Sequence, residues 1–132
     1  MTIAHELWSH YLAGVYQWRK EIEKGLRSCK NEMGFEDIVK LVRSRQVDFI
    51  ESDDEKAFAL IHPVEPAPGK RHIHILLSGG DYDSVMKLVS EKIEPLARAC
   101  GATRLTANVR RGFLKRRPDG WHNPSLYVEK EI

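Results

Sequence analysis

Three histidines offer the plainest acid–base chemistry in this sequence. His72 and His74 stand two residues apart in the run Arg71-His72-Ile73-His74-Ile75-Leu76-Leu77. That run alternates and then turns continuously apolar, as a central strand does. A period of two puts both imidazoles on one face of the strand. An imidazole titrates near neutrality and serves as a general base directly or through a water. His62 ends a second apolar run, Ala57-Phe58-Ala59-Leu60-Ile61-His62, and joins the pair if the two strands are neighbours. Three imidazoles on adjacent strands are ligand types for a metal. The same residues on a partly buried polar face need no ligand, and no metal site is expected.

A second constellation is cationic. Arg104, Arg110, Arg111, Lys115, Arg116 and Arg117 fall within fourteen residues with no acid among them. Such a cluster meets phosphate or an acidic protein surface. Phe113 and Trp121 flank it and are able to stack on bases. No recognition motif accompanies the charge, so an acidic protein surface is the first partner expected and nucleic acid the second. A third constellation is aromatic. Ile3, Leu7, Tyr11, Val15, Trp18 and Ile22 recur every three or four residues, and Trp8 and Leu12 widen the stripe. This spacing predicts an amphipathic helix over 2–24. Its apolar side packs either on the chain's own core or, through Trp8, Tyr11 and Trp18, on a partner.

Composition bounds these readings. The chain has 132 residues, of which 42% are hydrophobic and 30% charged. These are the values of a globular chain with one core, not of a disordered one. A formal net charge of +2 is too small to name a nucleic-acid partner. No run approaches the ~20 apolar residues of a membrane span, and no basic region precedes an apolar run at the N-terminus. Cys29 and Cys100 are far apart and lack Cys-x-x-Cys spacing, so they read as reduced thiols. Cys100 ends an apolar helical pattern and is expected to be buried.

The elements that must position these residues follow from the periodicity. Gly25 is expected to stop the first helix, and a second covers 36–45. Short strands are expected over 47–51, 57–62 and 71–77, with Ser78-Gly79-Gly80-Asp81 as a tight connection. A helix over 82–99 starts at Asp81 or Asp83 and is loosened by Pro95. A strand over 104–109, a short basic helix over 110–117 and a strand over 125–130 complete the chain. Short loops make the first three strands antiparallel. The long helical crossover makes the third and fourth parallel.

This order resembles the GNAT (Gcn5-related N-acetyltransferase) fold over residues 35–132. The local texture is similar to small GNAT-like proteins of tailed bacteriophages. The residues that carry the resemblance are His72 to Asp81, Ala97-Arg98-Ala99-Cys100-Gly101, Arg110-Arg111-Gly112-Phe113 and Gly120-Trp121. It implies an α/β architecture: a mixed sheet of about five strands, helices on both faces, and an N-terminal amphipathic helix. Residues 1–30 would be that helix and a linker, and residues 31–132 the GNAT-like domain.

Active members of that family hold acetyl-CoA at a Gln/Arg-x-x-Gly-x-Gly/Ala turn, where backbone amides and a helix N-terminus receive the pyrophosphate. By resemblance, Gly79 and Gly80 would approach the cofactor in an active protein. Here Leu76 stands at the polar first position and Asp81 at the final small one. A carboxylate there caps the helix and repels pyrophosphate, and Asp83 adds to the repulsion. Family members often use a glutamate base and a tyrosine acid. His72 and His74 are weak substitutes for the base, and the segment after Val109 holds no tyrosine at the usual place. The resemblance thus implies a non-catalytic structural or binding protein of a bacteriophage, with no cofactor and no membrane association. Its partners would be other phage structural proteins, in the host cytoplasm during assembly or in the virion. The alternative is an active acetyl-CoA-dependent N-acetyltransferase.

Overall fold

The computed structural model of the chain describes residues 12–28, 33–108 and 127–132. Residues 12–17 are helical. The helix continues past Trp18, whose N–H bonds the Gly14 carbonyl at 3.0 Å while its own carbonyl accepts from Ile22 at 2.9 Å. α1 follows (Arg19–Ser28). It runs through Gly25 instead of stopping there. A Cβ on Gly25 would lie 2.5 Å from Leu77 Cδ1, so this glycine lets the helix approach the sheet.

α2 (Phe35–Arg43) starts at Gly34, whose N–H donates to Asp37 Oδ2 at 2.8 Å. Three antiparallel strands come next: β1 (Asp48–Glu51), β2 (Ala57–Val64) and β3 (His72–Gly80). The crossover comprises α3 (Tyr82–Leu88), a π-helical turn (Val89–Ile93) and α4 (Glu94–Ala99). Pro95 has no N–H to donate and its ring crowds the preceding turn, and the helix widens just ahead of it. There the Glu94 N–H reaches the Val89 carbonyl, five residues back. β4 (Arg104–Asn108) pairs parallel to β3, and β5 (Tyr127–Glu131) pairs antiparallel to β4. The sheet order is β1-β2-β3-β4-β5.

Each face of the sheet is covered by helices. One face is built from small and branched residues. Ala57, Ala59, Ile61, Ile73, Ile75, Leu105 and Ala107 pack against Leu88, Val89, Ile93 and Ala97 of the crossover. The other is bulkier: Phe49, Phe58, Leu60 and Leu77 meet Val15, Ile22 and Leu26, with Ile38, Val39 and Val42 of α2. The N-terminal helix therefore folds back onto the sheet. Burying each Leu, Ile, Val or Phe contributes roughly 1.5–3 kcal/mol, and this burial holds both layers. Glu94 is buried and pairs with Lys130 at 2.6 Å, joining α4 to β5.

Three local expectations need correction. Ser78–Gly80 is not a connection but the end of β3, paired with Ala59, Phe58 and Ala57. β2 extends through Pro63 to Val64. Cys100 is exposed, because it caps the C-terminus of α4 with its N–H on the Leu96 and Ala97 carbonyls. The expected basic helix over 110–117, together with Trp8, Tyr11, Arg110, Arg111, Lys115, Arg116, Arg117 and Cys29, lies outside the described residues.

Candidate functional site

The start of α3 is built around two carboxylates of the chain itself. Asp81 is its N-cap, and Asp81 Oδ2 accepts from the Ser84 N–H at 3.1 Å. The Ser84 hydroxyl lies 2.8 Å from Asp54 Oδ2 and 3.1 Å from Asp81 Oδ2. Asp54 sits in the β1–β2 turn and accepts from the Ser52 hydroxyl at 2.5 Å and the Lys56 N–H at 3.0 Å. These bonds from Ser52, Lys56 and Ser84 lower its carboxyl to about 2. Asp54 and Asp81 together direct negative charge at the positive end of the helix.

The expected cofactor residues are accounted for by the same sheet. A Cβ on Gly79 would lie 2.7 Å from Phe58 Cε1. Gly80 has φ of +109°, and a Cβ there would run into the Lys56 carbonyl oxygen. The Asp81 N–H donates to that same oxygen at 2.9 Å. Both glycines are thus required by the close approach of β2. The Asp81 and Ser84 N–H groups are thus already bonded within the chain, and two carboxylates stand at this turn.

The histidines form the other candidate. His62 lies directly opposite His74 across β2 and β3, and His72 lies opposite Val64. The His62 and His74 ring centroids are 5.3 Å apart, with planes at 75°. His74 Nδ1 lies 2.6 Å from the Thr106 hydroxyl on β4. His72 and Thr106 are buried. Burial, reinforced by the neighbouring His62 and His72, lowers the His74 pKa to about 4. Burial also lowers His62, against the Pro63 backbone carbonyl, which favours its charged form. Neutral imidazoles at pH 7 can accept a proton or bind an ion. Among the described residues β3 pairs with β4 from Ile73↔Leu105 through His74↔Thr106 to Ile75↔Ala107, so His74 and Thr106 stand side by side within the parallel pair.

Trp18 is half-buried within this chain. Its Nε1 donates to Glu51 Oε2 at 2.6 Å, and its ring lies 4.9 Å from that of Phe58. Sequence reasoning missed Asp54, Ser52 and Lys56, because a turn of Ser52-Asp53-Asp54-Glu55 carries no sign of which helix it will meet.

Comparison with solved structures supports the fold. The chain superposes on the crystal structure of Tetrahymena GCN5 with a TM-score of 0.57 and 12% identity, covering 92% of this chain and 86% of that one. A ribosomal-protein-alanine N-acetyltransferase from Brucella melitensis biovar Abortus 2308 gives a TM-score of 0.57 and 12% identity, covering 87% and 91%. An integron cassette protein from the mobile metagenome of V. cholerae gives 0.51 and 15%, covering 83% and 75%. No family model and no curated protein sequence matches. At these identities the likeness concerns the fold: the chain has a GNAT-like α/β architecture with a five-stranded mixed sheet. No helix among the described residues is long and apolar enough to cross a membrane.

Proposed function

We propose that this chain is a GNAT-fold binding protein that does not use acetyl-CoA. The observation that carries this is the pair Asp54 and Asp81 around Ser84 at the start of α3. Their negative charge opposes a pyrophosphate at the helix start, and the Asp81 and Ser84 N–H groups there already bond the chain's own oxygens. Fold alone does not supply the chemistry. The partner-facing role rests on the basic segment Arg110 to Arg117 and on Trp8 and Tyr11 of the N-terminal stripe, and the assembly role in a tailed bacteriophage rests on sequence texture.

Calorimetry and thermal melts with acetyl-CoA up to millimolar concentration test the proposal. A ligand raises the melting temperature only as far as it binds the native state, so no rise is expected. Asp81→Gly should gain more affinity than Ser78→Gly if repulsion is the obstacle. Micromolar binding by the unaltered protein would overturn the proposal.

A second reading, an acetyl-CoA-dependent N-acetyltransferase, is favoured by the GNAT-like sheet together with the contact between His74 and Thr106 within it. In that reading His72 or His74 is the base, and Gly79 and Gly80 lie at the cofactor. Acetyl transfer to amines that disappears in His74→Gln would select it.

A further inference from the structure

We propose that His62 and His74 form a binding site for a first-row divalent transition-metal ion of the zinc, nickel or copper class. The site stands independently of whether the protein binds acetyl-CoA.

The first support is distance. Two imidazoles on one ion, each with a metal–nitrogen bond of about 2.1 Å and meeting at square or tetrahedral angles, have ring centroids roughly 4.6–5.3 Å apart. The rings of His62 and His74 are 5.3 Å apart. Strand register holds the two backbones opposite each other, so only side-chain torsions remain to converge the two nitrogens.

The second support is the hydrogen bonding behind the rings. Metal-binding histidines commonly place their other nitrogen on an acceptor, which fixes tautomer and orientation. His74 has Nδ1 on the Thr106 hydroxyl, which leaves Nε2 for a ligand.

The third support is the type of donor. Donors that are nitrogen only favour zinc, nickel or copper over magnesium or calcium, which take oxygen ligands. Among the described residues no group of three or more His, Cys, Asp or Glu converges on one point. Within the described residues the site is thus a two-imidazole site.

The test is titration of the full chain, freed of metal by chelation, with Ni²⁺ or Zn²⁺ by calorimetry. One ion per chain is expected. His62→Gln and His74→Gln should each weaken binding at least tenfold, Thr106→Val about tenfold, and His72→Gln less than threefold. Folding of each variant is checked by circular dichroism without metal. If His74→Gln does not fold, His62→Gln and the Cu²⁺ paramagnetic resonance spectrum of the unaltered chain decide, with two coordinated imidazole nitrogens expected. Absence of binding, affinity unchanged in both His62→Gln and His74→Gln, or a copper spectrum without two imidazoles overturns the proposal.

Discussion

Lys92 Nζ donates to the Glu51 backbone carbonyl at 3.0 Å and so covers the outer edge of the sheet. Glu51 is the last residue of β1, the edge strand. The next residue, Ser52, directs its N–H to β2 through Ala57. Antiparallel pairing alternates, so the Glu51 carbonyl points away from β2. Lys92 comes from the π-helical turn and is anchored further by Asp53 at 2.7 Å. An open edge is a template for pairing with other chains, and a lysine across it is one way to block that. Lys92→Ala is expected to lower stability by about 1 kcal/mol or less, since exposed ion pairs contribute little. Its larger effect should be concentration-dependent association, measured by light scattering. A variant as monodisperse as the parent would show that the lysine does not guard the edge.

Gly80 separates a structural from a ligand-binding role for the turn. Its φ of +109° and the Lys56 carbonyl both oppose a side chain. Gly80→Ala is expected to cost about 3 kcal/mol, as backbone strain and overpacking combine. Denaturant unfolding measures this. A loss under about 1 kcal/mol would mean that β2 yields easily and that the glycine is there for another reason.

Asp81 has two effects that one substitution separates. Asp81→Asn keeps an acceptor for the Ser84 N–H and removes a charge, whereas Asp81→Ala loses the cap. The alanine variant should lose about 1 kcal/mol, and the asparagine variant much less. Thermal unfolding of the two proteins side by side gives the comparison. Equal losses would assign the contribution to charge rather than to the capping bond.

Acid stability should show two stages. The folded pKa of His74, about 4, lies below its ordinary 6.5. The unfolded chain therefore binds the proton first, and stability falls as pH drops from about 6.5 toward 4. A shift of this size corresponds to about 3 kcal/mol at most. Asp54 is lowered from 3.8 to about 2, so its contribution is present above 3.8 and lost as pH falls through 2. Unfolding measured from pH 7.5 to 3 should show the first decline, and His74→Gln should flatten it. An unchanged slope in that variant would remove His74 as the cause.

The basic segment carries the partner hypothesis. Arg111→Glu with Arg116→Glu should weaken association with an acidic surface and leave the isolated fold within about 0.5 kcal/mol, as surface changes usually do. The association should also weaken with salt, because exposed charges are screened over roughly 8–10 Å. Normal association at low and high salt would make the segment a solvated face.

Much of the architecture is local and legible in the sequence. The apolar run of 57–62, the alternation that opens 71–77, the 3.6-residue stripe in α2 and the crossover, and the helix between β3 and β4 point to a mixed sheet with one parallel pair. Asp81 announces itself as a cap, because a short acceptor before a helix bonds its first free N–H groups. Pro95 announces a disturbed helix, because it has no N–H. What tertiary structure alone decided depends on which distant residues meet. Gly25 reads as a stop, but Leu77 across the layer makes it an interior glycine. Gly79 and Gly80 read as a tight connection, but they end β3, where Phe58 of β2 and the Lys56 carbonyl just before it leave no room for a side chain. His62 reads as one polar residue at the end of a strand. It faces His74 because the register between β2 and β3 shifts at Leu60/Ile61, and a shift of one residue changes which side chains are opposed. Register, close approach and burial are long-range quantities, and no local pattern of residue types contains them.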